Sequence, residues 1–204
     1  MNTPTLYRQE LKDRILQAAM GEFRRKGIRA VKMDDIANML SISKRTLYEI
    51  YSNKEELLFA GVQASEQAAE ARLDAYARMP GRSVMDILVE FYQMQMENLS
   101  GVNVLFFSDL HRYERVRQFL ADRHEKKENN SKSFFELGVR QGYFRGDMDY
   151  YLISKIGTQA MAYIFENQLY REYELQYIFR NVILLFIRGF CTVKGLEVID
   201  RMMK

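Results

Sequence analysis

Residues 33–57 carry the sequence MDDIANMLSISKRTLYEIYSNKEEL, in which short helical segments follow one another with little connecting chain. The first segment covers residues 33–40 and has acids in its first turn, where they complement the helix dipole. Ser41-Ile42-Ser43 interrupts it, and the last of these serines is placed to cap a second segment over residues 44–51. The stretch predicts two short helices joined by a tight turn.

This pattern is what a helix-turn-helix requires: a supporting helix, a tight turn, and a second helix with polar side chains facing outward. Leu47 and either Ile50 or Tyr51 can face the core. The N-terminus of the second helix enters the major groove in such motifs, and its free amides also attract phosphate. The side chains left towards solvent near that end are Lys44, Arg45, Thr46 and Tyr48.

The charge distribution agrees with a nucleic-acid partner. The formal net charge is only +3, but residues 1–60 hold eleven Lys or Arg against eight Asp or Glu, and the remaining residues hold nineteen of each. All of the net positive charge therefore lies in the first sixty residues, which is a modest electrostatic footprint for DNA binding.

The rest of the chain reads as helix. Only two prolines occur, and Leu, Ala, Met, Glu, Lys, Arg and Gln are plentiful. A first amphipathic helix should end near Gly27, and apolar residues recur at helical spacing in further segments at 54–79, 83–99, 104–110, 112–141, 150–169 and 174–193. We predict an all-α protein of about nine helices.

The residues of the motif resemble the tetracycline-repressor (TetR) family of one-component transcriptional regulators. The resemblance is carried by Ile42-Ser43-Lys44-Arg45-Thr46-Leu47-Tyr48, by Tyr51, and by Asn53-Lys54-Glu55-Glu56-Leu57. Weaker matches are Ala18, Phe23, Gly27, Asp35-Ile36-Ala37, Gly138, Gly142, Phe144 and Arg145. The first sixty residues carry the specific part of the likeness.

The resemblance implies a homodimer that reads a palindromic operator and responds to a small-molecule inducer. It divides the chain into a DNA-binding domain at residues 1–53 and a helical ligand-sensing and dimerisation domain at residues 54–204. The expected DNA-binding residues are Lys32, Met33, Ser43, Lys44, Arg45, Thr46, Tyr48 and Lys54. We expect Arg45 to read a base, because arginine can donate two hydrogen bonds to guanine, and Tyr48 and Lys54 to hold phosphates.

This sequence departs from the family pattern where Lys32, Ser41, Arg45, Glu49 and Ile50 stand. At position 41 the family usually has glycine, and at position 45 a small residue. Glu49 repels phosphate unless it pairs with Arg45, four residues earlier on the helix, or accepts a hydrogen bond from a cytosine amine. The operator sequence of relatives therefore cannot be transferred to this chain.

Two further sets of residues are candidates for a pocket and an interface. Aromatic and Met side chains in the middle of the chain are typical of ordinary core, and as a set they also suit an adaptable pocket for a hydrophobic effector. The pocket candidates are Phe91, Tyr92, Met94, Phe106, Phe107, His111, Phe134, Gln159 and Tyr163. The last helices are apolar around much of their circumference, which indicates either a buried core element or a four-helix dimer interface. The interface candidates are Ile156, Ala160, Phe179, Val182, Ile183, Phe186 and Phe190.

Other classes of protein fit the sequence poorly. We expect no cofactor, no metal site and no enzymatic activity, since paired cysteines and nucleotide-binding loops are missing and the only histidines are His111 and His124. The single Cys191 and the lack of an apolar signal or membrane segment lead us to expect a cytoplasmic protein with no membrane partner. The alternative function is a helical sensor or carrier that binds a hydrophobic molecule without regulating DNA.

Overall fold

The computed structural model describes residues 3–202, which form eleven α-helices and one 3-10 turn at Leu169–Arg171. The helices are α1 (Thr3–Lys26), α2 (Met33–Met39), α3 (Lys44–Ile50), α4 (Lys54–Ala77), α5 (Val84–Leu99), α6 (Val104–Leu110), α7 (Glu114–Asn130), α8 (Lys132–Arg140), α9 (Tyr150–Glu166), α10 (Leu175–Phe190) and α11 (Val193–Met202). Over the same residues, extended chain pairs only in an isolated antiparallel bridge between Phe144 and Cys191. The predicted all-α class is confirmed.

The predicted number of about nine helices is too low in two places. The single helix expected over residues 112–141 is divided at Ser131 into α7 and α8. The sequence has two asparagines before this serine, and these residue types favour local hydrogen bonds over a continuing helix. The second difference is α11, which the analysis of apolar spacing missed. Cys191 is extended and ends α10 before α11 begins.

The chain folds into two compact units. The first contains residues up to 68 together with residues 101–119, and the second contains residues 69–100 and the chain from residue 120 onward. The predicted boundary after residue 53 falls inside the first unit, because α6 and the start of α4 pack with the N-terminal helices. As a division of function, that boundary stays a prediction.

The core of the first unit holds the N-terminal helices in place. Helix α1 contacts α2 and α6, and α2 contacts α3. The fully buried side chains in this core include Ile15, Phe23, Ile28, Ile36, Leu47 and Leu57. As predicted, α1 ends before Gly27, whose φ of +87° suits glycine and whose position against α6 leaves no room for a side chain.

The core of the second unit is an aromatic cluster. Phe144 contacts Phe135 and Phe190 with ring centroids 6.0 and 5.1 Å apart, and Tyr150 stacks on Phe135 at 4.4 Å. Val84 and Met85 at the start of α5 and Ile199 of α11 are buried in the same cluster. Within residues 3–202, no helix is long and apolar enough to cross a membrane.

Candidate nucleic-acid interface

Helices α2 and α3 form the predicted helix-turn-helix. The two helices pack through Ile36 and Ala37 on one side and Leu47 on the other, all buried. Ile42 N donates to Ala37 O at 3.0 Å and so closes the turn. Ser41 has a φ of +54°, a left-handed conformation that glycine adopts more easily than serine. Serine in place of the family's glycine at this position therefore strains the turn.

Ser43 caps α3. Its backbone is extended and its Oγ accepts from Thr46 N at 3.0 Å, with Thr46 Oγ1 2.8 Å away. Such a cap is worth about 1 kcal/mol because it satisfies an amide at the start of the helix. The hydroxyls of Ser43 and Thr46 are thereby engaged with each other in this structure. The contacts with DNA predicted for both residues stay predictions.

The outward face of α3 carries two cations, each paired with an acid. Lys44 pairs with Asp34 of α2, and Arg45 Nε donates to Glu49 Oε1 at 2.9 Å. These carboxylates raise the pKa of Lys44 and of Arg45, so both side chains stay charged. The Arg45 side chain is 89% exposed, and Tyr48 is exposed beside it. The face combines positive charge with hydrogen-bond donors and an aromatic ring.

The remaining predicted DNA-binding residues lie at the start of α2 and of α4. Lys32 is exposed and precedes α2, where its backbone N–H donates to Asp35. Met33 is 7% exposed, so its side chain belongs to the core, and the DNA contact predicted for this residue stays a prediction. Lys54 Nζ donates to the carbonyls of Ile28 and Val31 at 3.0 and 3.1 Å. Partial burial lowers the pKa of Lys54.

Two structural residues were missed by the sequence analysis. Asp109 of α6 is 7% exposed and its Oδ2 accepts from Arg29 N at 2.9 Å, which ties α6 to the loop between α1 and α2. Asn103 adds a hydrogen bond from its backbone N to Arg24 O at 2.7 Å. These contacts join residues about eighty positions apart, so no local sequence pattern predicts them. The loop before the helix-turn-helix and the end of α1 are therefore held by hydrogen bonds from α6 and from the residue that precedes it.

Residues 15–60, which include α2, the turn and α3, match the family described as bacterial regulatory proteins, tetR family. Over these residues the chain is similar to that family. Its relatives include an uncharacterized HTH-type transcriptional regulator of Bacillus subtilis, YfiR, which is 25% identical over 165 residues, or 78% of this chain and 80% of the relative. The resemblance stated from the motif is confirmed, and it favours a DNA-binding regulator over a carrier without DNA regulation.

Solved structures of transcriptional regulators share the fold over nearly the whole chain. A TetR-family regulator from Marinobacter aquaeolei has a TM-score of 0.72 at 17% identity and covers 100% of this chain and 98% of its own. A transcriptional regulator from Saccharomonospora viridis in complex with choline has a TM-score of 0.71 at 17% identity, covering 90% of this chain and 99% of its own. At such identities the likeness supports the fold alone.

The residues predicted to line a TetR-type effector pocket are dispersed over the chain. Phe106, Phe107 and His111 belong to the first unit, and the other six belong to the second. Phe134 packs against Phe135 and Phe144 in the aromatic core, whereas His111, Gln159 and Tyr163 are exposed. A groove of about 840 Å³ in the second unit is open to solvent and lined by other residues, including Phe135, Arg140 and Tyr150. The predicted pocket stays a prediction.

The predicted interface residues divide into inward-facing and outward-facing groups. Phe179 and Phe190 are buried inside the second unit, and Ile183 packs against the aromatic cluster. Ile156 is exposed, and Ala160, Val182 and Phe186 are partly exposed. Leu152, Tyr163 and Leu185 are further exposed apolar residues of these two helices, outside the predicted interface set. We call the exposed apolar surface of α9 and α10 the α9–α10 face, defined by Leu152, Ile156, Tyr163, Val182, Leu185 and Phe186.

Proposed function

We propose that the protein is a repressor that binds a palindromic operator as a homodimer and releases it when a small-molecule effector binds. The observation that carries the proposal is the outward face of α3, where Arg45 and Tyr48 project into solvent from a capped helix inside a TetR-family domain. The DNA-binding activity of the family and the geometry of this face both support the outward face of α3 as the DNA-binding surface.

The arrangement of α3 suits the major groove. The groove of B-form DNA admits one α-helix, and the N-terminal residues of a recognition helix contact the base edges. Arg45 stands at the second position of α3, and its guanidinium projects away from the core. Lys44 and the exposed Lys32 just before α2 lie on the same motif and suit phosphate contacts.

The α9–α10 face supports the homodimer. Leu185 is 71% exposed, and Leu152, Ile156 and Tyr163 are also exposed. Large apolar side chains at helical spacing on two adjacent helices form a patch that a single protomer leaves in water, which is a mark of an interface. A two-fold axis through this face would supply the second copy of α3 that a palindrome needs.

The proposal also includes a small-molecule effector. A structural neighbour from Saccharomonospora viridis is described in complex with choline, so a small molecule has been found on a protein of this fold. For this chain we propose a hydrophobic effector, as the aromatic and Met residues in the middle of the sequence predict. A cytoplasmic location is part of the same proposal, because a regulator acts where its DNA lies.

Selection of genomic fragments by the purified protein tests the proposal. We expect enrichment of a palindrome, binding of two protomers per fragment, and an affinity that falls as salt rises, because Lys and Arg displace counterions from phosphates. A reporter whose promoter overlaps the enriched palindrome should be expressed less when the protein is present. Selection without an enriched palindrome, or an affinity independent of salt, contradicts DNA binding. Increased reporter expression contradicts repression alone.

A further inference from the structure

The ion pair between Arg45 and Glu49 has a specific geometry. Glu49 Oε1 accepts from Arg45 Nε at 2.9 Å. Arg25 and Arg145, by contrast, each bind one carboxylate with two nitrogens: Arg25 uses Nε and Nη2 on Glu22 at 2.9 and 3.0 Å. Among the side chains that the structure describes, none accepts a hydrogen bond from Nη1 or Nη2 of Arg45. The pair therefore leaves Nη1 and Nη2, which form the outer end of the guanidinium, available to donate to another acceptor.

The outer end of a guanidinium is the part that reads guanine. Guanine presents two acceptors, N7 and O6, in the major groove, and an arginine meets both with two N–H groups. An arginine held only by its flexible stem loses side-chain freedom on binding. Glu49 lies one turn after Arg45 on the same exposed face of α3, and its hydrogen bond limits the conformations of the Arg45 side chain. This limit exists before DNA binds.

Resting on the DNA binding proposed above, we propose that Glu49 is a specificity-determining positioning residue, which holds the Arg45 guanidinium end-on to a guanine and away from phosphate. The Glu49 side chain is 58% exposed on the face that meets DNA, so its carboxylate repels the phosphates that a free arginine would seek. Glu49 thereby reduces sequence-independent affinity and increases base discrimination.

Two substitutions separate the charge of Glu49 from its hydrogen bond. Glu49→Gln removes the charge and keeps an oxygen that can accept from Arg45 Nε. Glu49→Ala removes both. Both variants should bind unrelated DNA more tightly than the wild type does, and only Glu49→Ala should lose the orientation of Arg45. Glu197→Ala, an exposed acid of α11, is the charge-matched control and should leave both properties unchanged.

The experiment measures affinities for the selected palindrome with each of the four bases at every position. The position read by Arg45 is the one where Arg45→Ala abolishes discrimination. There the wild type should prefer guanine by about tenfold or more. Glu49→Gln should keep most of this preference, whereas Glu49→Ala should reduce it to about twofold or less. Circular dichroism and melting temperature check that each variant is folded.

Three results overturn the inference. One is a guanine preference in Glu49→Ala equal to that of the wild type. Another is a base other than guanine at the position read by Arg45. The third is a loss of cytosine preference at a neighbouring position with the Arg45 position unchanged, which would make Glu49 a direct reader of a cytosine amine. Failure of the wild type to select any sequence is a different result, because it contradicts the proposed function itself.

Discussion

Asp109→Ala tests whether α6 holds the loop that precedes the helix-turn-helix. The carboxylate is buried at 7% exposure and accepts from Arg29 N at 2.9 Å, and the alanine would leave that amide without its acceptor. A hydrogen bond to a charged group contributes about 1.5–3 kcal/mol, so we expect the free energy of unfolding to fall by about 2 kcal/mol. Asp109→Asn keeps an oxygen in place and should cost less, about 1 kcal/mol or below.

Thermal unfolding followed by circular dichroism measures the effect. For a chain of this size, a loss of 1 kcal/mol lowers the melting temperature by about 2–4 °C, so Asp109→Ala should melt about 4–8 °C below the wild type. Urea unfolding of the same variants gives the free energies directly. A melting temperature for Asp109→Ala within about 1 °C of the wild type, or an asparagine variant as unstable as the alanine variant, would show that this hydrogen bond does not stabilise the loop.

Three further predictions follow from other parts of the chain. Ser41→Gly should raise the free energy of unfolding by about 1 kcal/mol, since glycine adopts the φ of +54° without strain, and urea unfolding that shows no gain contradicts this. Leu185→Glu should convert the proposed dimer to a monomer in sedimentation, because it puts a charge at the most exposed side chain of the α9–α10 face, whereas the control Met79→Glu, at another exposed apolar residue, should remain dimeric. Burial raises the pKa of Cys191 to about 11, so its thiolate is scarce at pH 8 and the native protein should react with iodoacetamide far more slowly than the urea-unfolded chain. Equal rates in the two states would contradict that burial.

Sequence alone was sufficient for the helix-turn-helix, because its determinants are local. The cap at Ser43 and the buried Leu47 lie within a few residues of the features they explain. Gly27 likewise predicts the end of α1 from local sequence. Part of the need for glycine there comes from a distant residue, because Leu105 of α6 packs against it. The bounds of α2 and α3, which depend on nearby residues, were therefore predicted to within about one residue.

Features that depend on distant contacts were not predictable in the same way. Nothing near Asp109 indicates that it binds Arg29, and nothing near Lys54 indicates that its ammonium group binds the carbonyls of Ile28 and Val31. Helix α10 is apolar on several sides, so its sequence could not separate the inward Phe190 from the outward Leu185. Only the packing of the second unit separates the two.

We propose that α3 binds DNA through Arg45 and Tyr48, and the affinity of the Arg45→Ala/Tyr48→Ala double variant for the selected palindrome measures the contribution of both side chains. Both side chains are exposed, so the variant should fold and dimerise as the wild type does. We predict an affinity at least a hundredfold weaker, from the loss of one base contact and one phosphate contact, with Arg201→Ala of α11 as a control that binds normally. A double variant that is folded and binds the palindrome as tightly as the wild type would contradict the account.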